Sequence, residues 1–184
     1  MNYDELLKGE LVCLEVLDPQ PMASLICRWN LDSEFVRLFG DEPPRLWPVR
    51  YAQEGFENHL AELYLFAIRT LDDPRTIGIL DLSEIDRISH NAWISIGIGE
   101  RDQWGKGYGT DAMRVGIRFG FEQLNLHRIS LTVFEYNPRA RRSYEKLGFK
   151  EEGRARKFLN RDGQRWDMIY MGLLHDEWIG QEAP

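Results

Sequence analysis

Residues 101–110 read Arg-Asp-Gln-Trp-Gly-Lys-Gly-Tyr-Gly-Thr, with a strand-like run, Ala92 to Gly99, before them and an amphipathic helical pattern directly behind. A chain of this kind must pass from a sheet into a helix within a few residues. Gly105, Gly107 and Gly109 let the backbone take positive φ and approach a ligand closely. The helix behind them starts with N–H groups that have no partner and with the positive end of its dipole, both directed at one point. That point suits a phosphate.

Two phosphate-binding patterns do not match. The dinucleotide fingerprint needs Gly-x-Gly-x-x-Gly and an acidic residue about 20 positions later. Here the third glycine comes one residue early, and Thr110 stands in its place. No Gly-Lys-Ser/Thr closes the loop, so a P-loop is excluded as well. A glycine turn that binds nothing satisfies the same spacing, and the loop alone does not decide.

Periodicity places the loop in a longer order. A first strand is expected over Gly9 to Asp18, then helical patterning over Pro19 to Gly40, broken by Asp41-Glu42-Pro43-Pro44. A helix over about Val49 to Leu63 leads into a hairpin, Leu63 to Thr70 and Thr76 to Asp86, turning on Asp72-Asp73-Pro74. The strand Ala92 to Gly99 follows, and the helix behind the glycine loop runs to about Leu124. Its Ala112, Met113, Gly116, Ile117, Gly120, Phe121 and Leu124 recur at three- and four-residue spacing as one buried stripe. Ile129 to Glu135 is a strand. Asn137-Pro138 has the form of a helix N-cap followed by proline at the first helical position. Phe149 to Lys157 and Gln164 to Leu174 close as a hairpin over Asn160-Arg161-Asp162-Gly163. Alternating strands and helices of this kind imply an α/β fold, a mixed sheet with helices on both faces.

Composition sets limits on function. The chain has 184 residues, 43% of them hydrophobic and 12% aromatic, which suits a single packed domain spanning residues 1–184. No apolar run approaches membrane-spanning length, and Met1-Asn2-Tyr3-Asp4-Glu5 lacks the basic start of a secretory signal. A cytoplasmic protein is expected, with Cys13 and Cys27 reduced. His59, His90, His127 and His175 are scattered, and no metal is expected. The net charge of −7, from 23 basic and 30 acidic residues, disfavours nucleic acid and favours cationic substrates. Against that background Arg139, Arg141, Arg142, Lys146 and Lys150 crowd one short helix and its exit. They form either a solvated face or a local phosphate site.

A second segment, residues 137–153, reads Asn-Pro-Arg-Ala-Arg-Arg-Ser-Tyr-Glu-Lys-Leu-Gly-Phe-Lys-Glu-Glu-Gly. Together with the loop it resembles the GNAT superfamily of acetyl-CoA-dependent N-acetyltransferases, and within it the Rim-type branch of ribosomal-protein N-terminal and spermidine acetyltransferases. The family's loop, Gln/Arg-x-x-Gly-x-Gly/Ala, is matched by Trp104 to Gly109. Its Asn-x-x-Ala-x-x-x-Tyr-x-x-x-Gly-Phe pattern is matched by Asn137, Ala140, Tyr144, Gly148 and Phe149. The tail, Arg161-Asp162-Gly163 to Asp167-Met168, is similar to the family's last hairpin, and the likeness runs over roughly residues 9–174. Trp104 departs from the usual Gln or Arg. It brings no charge to a pyrophosphate, which leaves more of that load to backbone amides and Lys106.

The resemblance implies a central sheet of about seven strands, splayed between its fourth and fifth strands, with acetyl-CoA as cosubstrate in the gap. Ile96, Gly97 and Ile98 would meet its pantetheine arm, with Gly97 and Gly99 permitting a bulge or simply relieving crowding under a helix. Trp104, Gly105, Lys106, Gly107, Tyr108, Gly109 and Thr110 would receive the pyrophosphate, with Arg142 nearby, and Asn137 would lie near the pantetheine or a bound water. An amine must lose a proton before it attacks, and the developing oxyanion needs an N–H donor, which the Ile96–Ile98 stretch could offer. Tyr144 is implied as the acid that protonates the departing thiolate. Rim-type relatives often carry Glu where Trp93 stands, so the base stays open among Ser95, Glu84, Asp81, Glu135 and a water. The expected reaction is direct acetyl transfer from acetyl-CoA to a primary amine, on a protein N-terminus, a polyamine or a small metabolite. The acceptor pocket is expected between the Trp29–Leu63 region and the last hairpin, with Trp47 and Tyr51 available to grip a cation. An inactive acyl-CoA-binding regulatory module is the alternative, and a nucleotide-binding oxidoreductase is disfavoured by the loop spacing. The expected partner is the amine substrate, with no nucleic acid or membrane and with a homodimer left open.

Overall fold

The computed structural model describes residues 3–44, 46–59, 63–73 and 75–182. Helix α1 (Tyr3–Leu6) and strand β1 (Val12–Val16) are followed by helices α2 (Pro19–Trp29), α3 (Ser33–Phe39) and α4 (Val49–His59). Strands β2 (Tyr64–Thr70), β3 (Thr76–Asp86) and β4 (Asn91–Ile98) come next, then a short 3-10 turn (Arg101–Gln103) and helix α5 (Tyr108–Glu122). Strand β5 (Arg128–Phe134), helix α6 (Pro138–Lys146), strands β6 (Lys150–Arg161) and β7 (Gln164–Leu174), and helix α7 (His175–Glu182) complete the order. The strands form one mixed sheet in the order β1-β2-β3-β4-β5-β7-β6, and only the β4–β5 pair is parallel.

Several expectations need correction. The helical pattern over Pro19 to Gly40 is two helices, because Asp32 has extended φ/ψ and its carboxylate caps α3 by accepting from the Glu34 and Phe35 amides. Strand β1 is shorter than Gly9 to Asp18, and β6 extends to Arg161, so the last turn narrows to Asp162-Gly163. The helix expected as far as Leu63 reaches His59. Its continuation at 60–62 and the turn residue Pro74 lie outside the described residues. Neither terminal helix was foreseen.

The α5 stripe packs as expected, except that Leu124 is only partly buried while Val115 and Phe119 are buried too. Two residues of α5 also fasten the N-terminal segment. The buried Asp111 accepts from the amides of Glu10 at 3.3 Å, Leu11 at 2.8 Å and Val12 at 3.1 Å. Arg118 donates to the carbonyls of Leu6 and Lys8. On the opposite face of the sheet α2 and α3 pack Met22, Trp29, Phe35 and Val36 against Leu65, Ala67 and Ile79. The register of β3 on β4 is unbroken from Gly78↔Ile98 to Ser83↔Trp93, so Gly97 forms no bulge, whereas beyond it the Ile77 carbonyl accepts from both Gly99 N and Glu100 N, the two-against-one pattern of a bulge. Both glycines also have rings lying over them. A Cβ on Gly97 would meet Phe39 at 2.7 Å, and one on Gly99 would overlap Trp29. Both cysteines are free, and no helix among the described residues is long and apolar enough to cross a membrane.

Candidate active site

The parallel strands β4 and β5 pair only at Asn91↔Arg128, Ala92↔Ile129 and Trp93↔Ser130. Beyond that point they part, while β5 stays paired with β7 along its whole length. The Gly99 amide donates to Ile77. By the alternation of an antiparallel ladder, the backbone groups of Gly97 and Ser95 therefore turn towards β3, and those of Ile96 and Ile98 turn into the gap. Buried backbone groups seldom stay without partners. An extended ligand with amides of its own can complete them.

The gap opens onto the start of α5. Gly107, at φ 91°, is the N-cap of this helix, and Gly105 has φ 77° with nothing within 4 Å of where a Cβ would lie. The first α5 amides then point into a cleft of about 360 Å³ bounded by Ile96, Gly97, Ile98, Tyr108, Gly109 and Thr110. Thr110 and Ser143 share a hydroxyl hydrogen bond of 2.7 Å that ties α6 to this corner. Trp104 also lines the cleft, but in a role the sequence did not suggest. Its Nε1 donates to the Ile98 carbonyl at 2.7 Å, and the Arg139 guanidinium lies 4.3 Å from its ring centroid. The indole satisfies one gap-facing carbonyl and carries a cation on its face.

The basic run on α6 divides. Arg139, Arg142 and Lys146 line the cleft. Arg141 instead pairs with Glu145 and Glu151, and Lys150 pairs with Glu177. Lys106 does not line the cleft, since its ammonium reaches Gln103 Oε1 at 3.2 Å. The cations along the cleft walls are thus those of α6, while Lys106 stands one hydrogen bond away on Gln103.

A second cavity of about 300 Å³ adjoins the first. It shares Leu38, Phe39, Ile96, Asn137 and Tyr144 with it and adds Asp81, Ser83, Glu84, Trp93, Ser95 and Thr132. Asn137 is buried, and its Oδ1 caps α6 by accepting from Ala140 N at 3.1 Å. Tyr144 lies where the cavities meet, its ring edge-on to Phe149, and no described residue hydrogen-bonds its hydroxyl. Burial pushes the phenol up to about 12. Burial also raises the Asp81 carboxyl, against the opposing pull of hydrogen bonds from Ser95 and Ser83. Of the four candidate bases, Asp81, Glu84 and Ser95 reach the second cavity. Glu135 does not, and its carboxylate accepts from Asp167 N at 3.1 Å. Trp47, Tyr51 and the last hairpin also stay outside both linings. Of the region expected to hold the acceptor, Leu38 and Phe39 face the second cavity.

Residues 12–150 match the model of a protein family described as the acetyltransferase (GNAT) domain. The chain belongs to this family. It is 35% identical to a putative ribosomal N-acetyltransferase, YdaF, of Bacillus subtilis (strain 168), in an alignment spanning 61% of either chain. It is 28% identical to the ribosomal protein uS5 alanine N-acetyltransferase of Escherichia coli (strain K12), over 73% of this chain and 70% of that one. The crystal structure of Vibrio cholerae spermidine N-acetyltransferase in complex with CoA and spermine superposes with a TM-score of 0.82 at 25% identity, covering 91% of this chain and 98% of that one. The parted sheet thus belongs to an acetyl-CoA-dependent N-acetyltransferase, whose reaction moves an acetyl group to an amine.

Proposed function

We propose that acetyl-CoA occupies the first cleft and that the acceptor is a primary amine meeting it where the two cavities join. One observation carries this reading. The unpaired edge of β4, the amide-rich start of α5 and the hydroxyl of Tyr144 all border one continuous space. The residues suit the cosubstrate. Gly105 leaves open room at the loop, the first amides of α5 suit a pyrophosphate, and Arg139, Arg142 and Lys146 suit the remaining phosphate. Ile96 N–H stabilises the oxyanion as the amine attacks, and Tyr144 protonates the departing sulfur. A phenol at about 12 is a weak donor in water. The same desolvation raises the thiolate's proton affinity, which narrows the gap between them.

The acceptor is an amine of the kind the named relatives acetylate, a protein N-terminus or a polyamine, or a small metabolite with the same group. A carboxylate, Asp81, and a phenol, Tyr144, bordering the joined space favour an active enzyme over a module that only binds acyl-CoA.

Gly105→Asp tests the cleft. Aspartate tolerates positive φ better than most residues, and it would set an anion at the phosphates in space that no protein atom fills. Calorimetry should show acetyl-CoA affinity falling by about tenfold or more, the cost of roughly 1.4 kcal/mol or above, with the fold intact. Gly105→Asn, uncharged, should lose less. Equal affinity in wild type and Gly105→Asp would refute the placement. Thiol release from acetyl-CoA across a panel of amines and alcohols tests the reaction, and release with alcohols alone would refute the acceptor class.

A further inference from the structure

We propose that Asp81 accepts the proton of the incoming ammonium, that the second cavity is the acceptor's port, and that Glu84 holds the positive charge on approach. The inference deepens the acetyl-transfer reading and rests on it. Asp81 and Ser95 face each other directly across β3 and β4, on the side of the sheet that carries α2 and α3. Ser95 gives its hydroxyl hydrogen to the Asp81 carboxylate, so Ser95 orients the base and is not free to act as one.

Glu84 reaches the same cavity by a different device. Leu80 and Leu82 are fully buried in the cluster around α5, and simple alternation would send Glu84 to their side. The β3–β4 register instead shifts between Ser83 and Asp86, and Glu84 takes the left-handed conformation at φ 48°. The bulge brings Glu84 to the wall that Asp81 and Ser83 occupy. A non-glycine residue pays about 1–2 kcal/mol for that conformation. Among the described residues the cavity lining contains no Lys, Arg or His, and besides Asp81 its titratable residues are Glu84 on β3 and Tyr144 on α6. The wall is built to receive a cation and to neutralise it next to the acetyl cleft.

The proton balance closes. An ammonium N–H passes its proton to Asp81, and the freed lone pair forms the C–N bond. The C–S bond breaks, its electron pair stays on sulfur, and Tyr144 supplies the proton there. Asp81 then loses its proton to solvent and Tyr144 regains one. After the second amine proton has left, the products are an amide, a neutral thiol and one proton released overall.

Asp81→Asn keeps the shape and removes the base. Its kcat/KM for an amine accepted by the wild type should fall about 10²-fold or more near pH 7. The loss should shrink by about tenfold per pH unit towards pH 10, as solvent takes over deprotonation of the amine. Acetyl-CoA affinity should be unchanged by calorimetry. In the wild type the acid limb should lie above the usual carboxylate range, because a protonated Asp81 cannot accept. Ser95→Ala removes a donor that holds the Asp81 carboxyl down, so its acid limb should move to higher pH. Glu84→Gln should raise the amine KM more than it lowers kcat. An Asp81→Asn rate within about threefold of wild type at pH 7, well under the general-base range, overturns the assignment. If Asp81→Asn does not fold, an unmoved acid limb in Ser95→Ala overturns it instead. A wild-type protein that binds no acetyl-CoA would refute the cleft and this inference together, whereas a binding, active wild type with an indifferent Asp81 refutes this one alone.

Discussion

Tyr144 shows how burial and chemistry act on one side chain. Its ring packs on Phe149 and against the apolar cluster under α5, yet its hydroxyl faces the junction of the cavities. With the phenol pushed up to about 12, Tyr144 keeps its proton throughout the working range and should impose no basic limb at moderately alkaline pH. Tyr144→Phe preserves the packing and deletes the donor. Steady-state kinetics should show kcat lower by about 10²–10⁴-fold, with acetyl-CoA affinity nearly intact. A purely structural tyrosine would give little rate loss and, from one missing hydrogen bond, about 1 kcal/mol or less in a thermal melt. Trp104 supplies the complementary case. Its indole cannot carry charge to a phosphate, but it donates to Ile98 and holds Arg139 on its face, so the charge arrives indirectly.

Among elements, α5 joins the most distant parts of the chain. Its first turn borders the cleft, its stripe fills the core, and Asp111 within that turn receives three amides from residues 10–12. Asp111→Ala would strand those donors at a cost of about 3 kcal/mol. The thermal midpoint should drop on the order of 10 °C for a chain of this size, measurable by calorimetry. A fall under about 2 °C would show that water replaces the carboxylate at little cost. The α5 pattern itself was legible, since its apolar positions repeat with the helical period. The role of Asp111 was not, because its partners lie about a hundred positions away and no local pattern marks them. The same limit hid the break at Asp32, a capping residue within an otherwise helical pattern, and the shift at Glu84, which depends on how β3 meets β4. The motif residues of the loop and of α6 were readable. The division of α6 cations between cleft and ion pairs was not, because it depends on where Glu145, Glu151 and Glu177 fall in space.

At the scale of the molecule, the sheet is two leaves, β1–β4 and β5–β7, bound along their shared edge by three parallel residue pairs. A second connection spans them near the cavities. Arg161 on β6 donates to the carbonyls of Arg37 at 2.9 Å and Gly40 at 3.2 Å, and the Tyr136 hydroxyl donates to Arg37 O at 2.7 Å. The Arg37 guanidinium lies over the Tyr136 ring. Leu38 and Phe39, which border both cavities, belong to the stretch so held. The molecule therefore resembles a book bound at the spine by a short seam, with α5 packed across both leaves and a clasp beside the cavities. Arg161→Ala should loosen the clasp, leaving the Tyr136 and Asp162 bonds to Arg37 and the spine in place. Hydrogen–deuterium exchange would then speed up at residues 37–42 while the amides of β2 and β3 keep their protection. Equal exchange in both proteins would mean that packing alone keeps the leaves together. If the clasp does govern opening, the interval between one turnover and the next is set by how often the leaves part to release the finished amide.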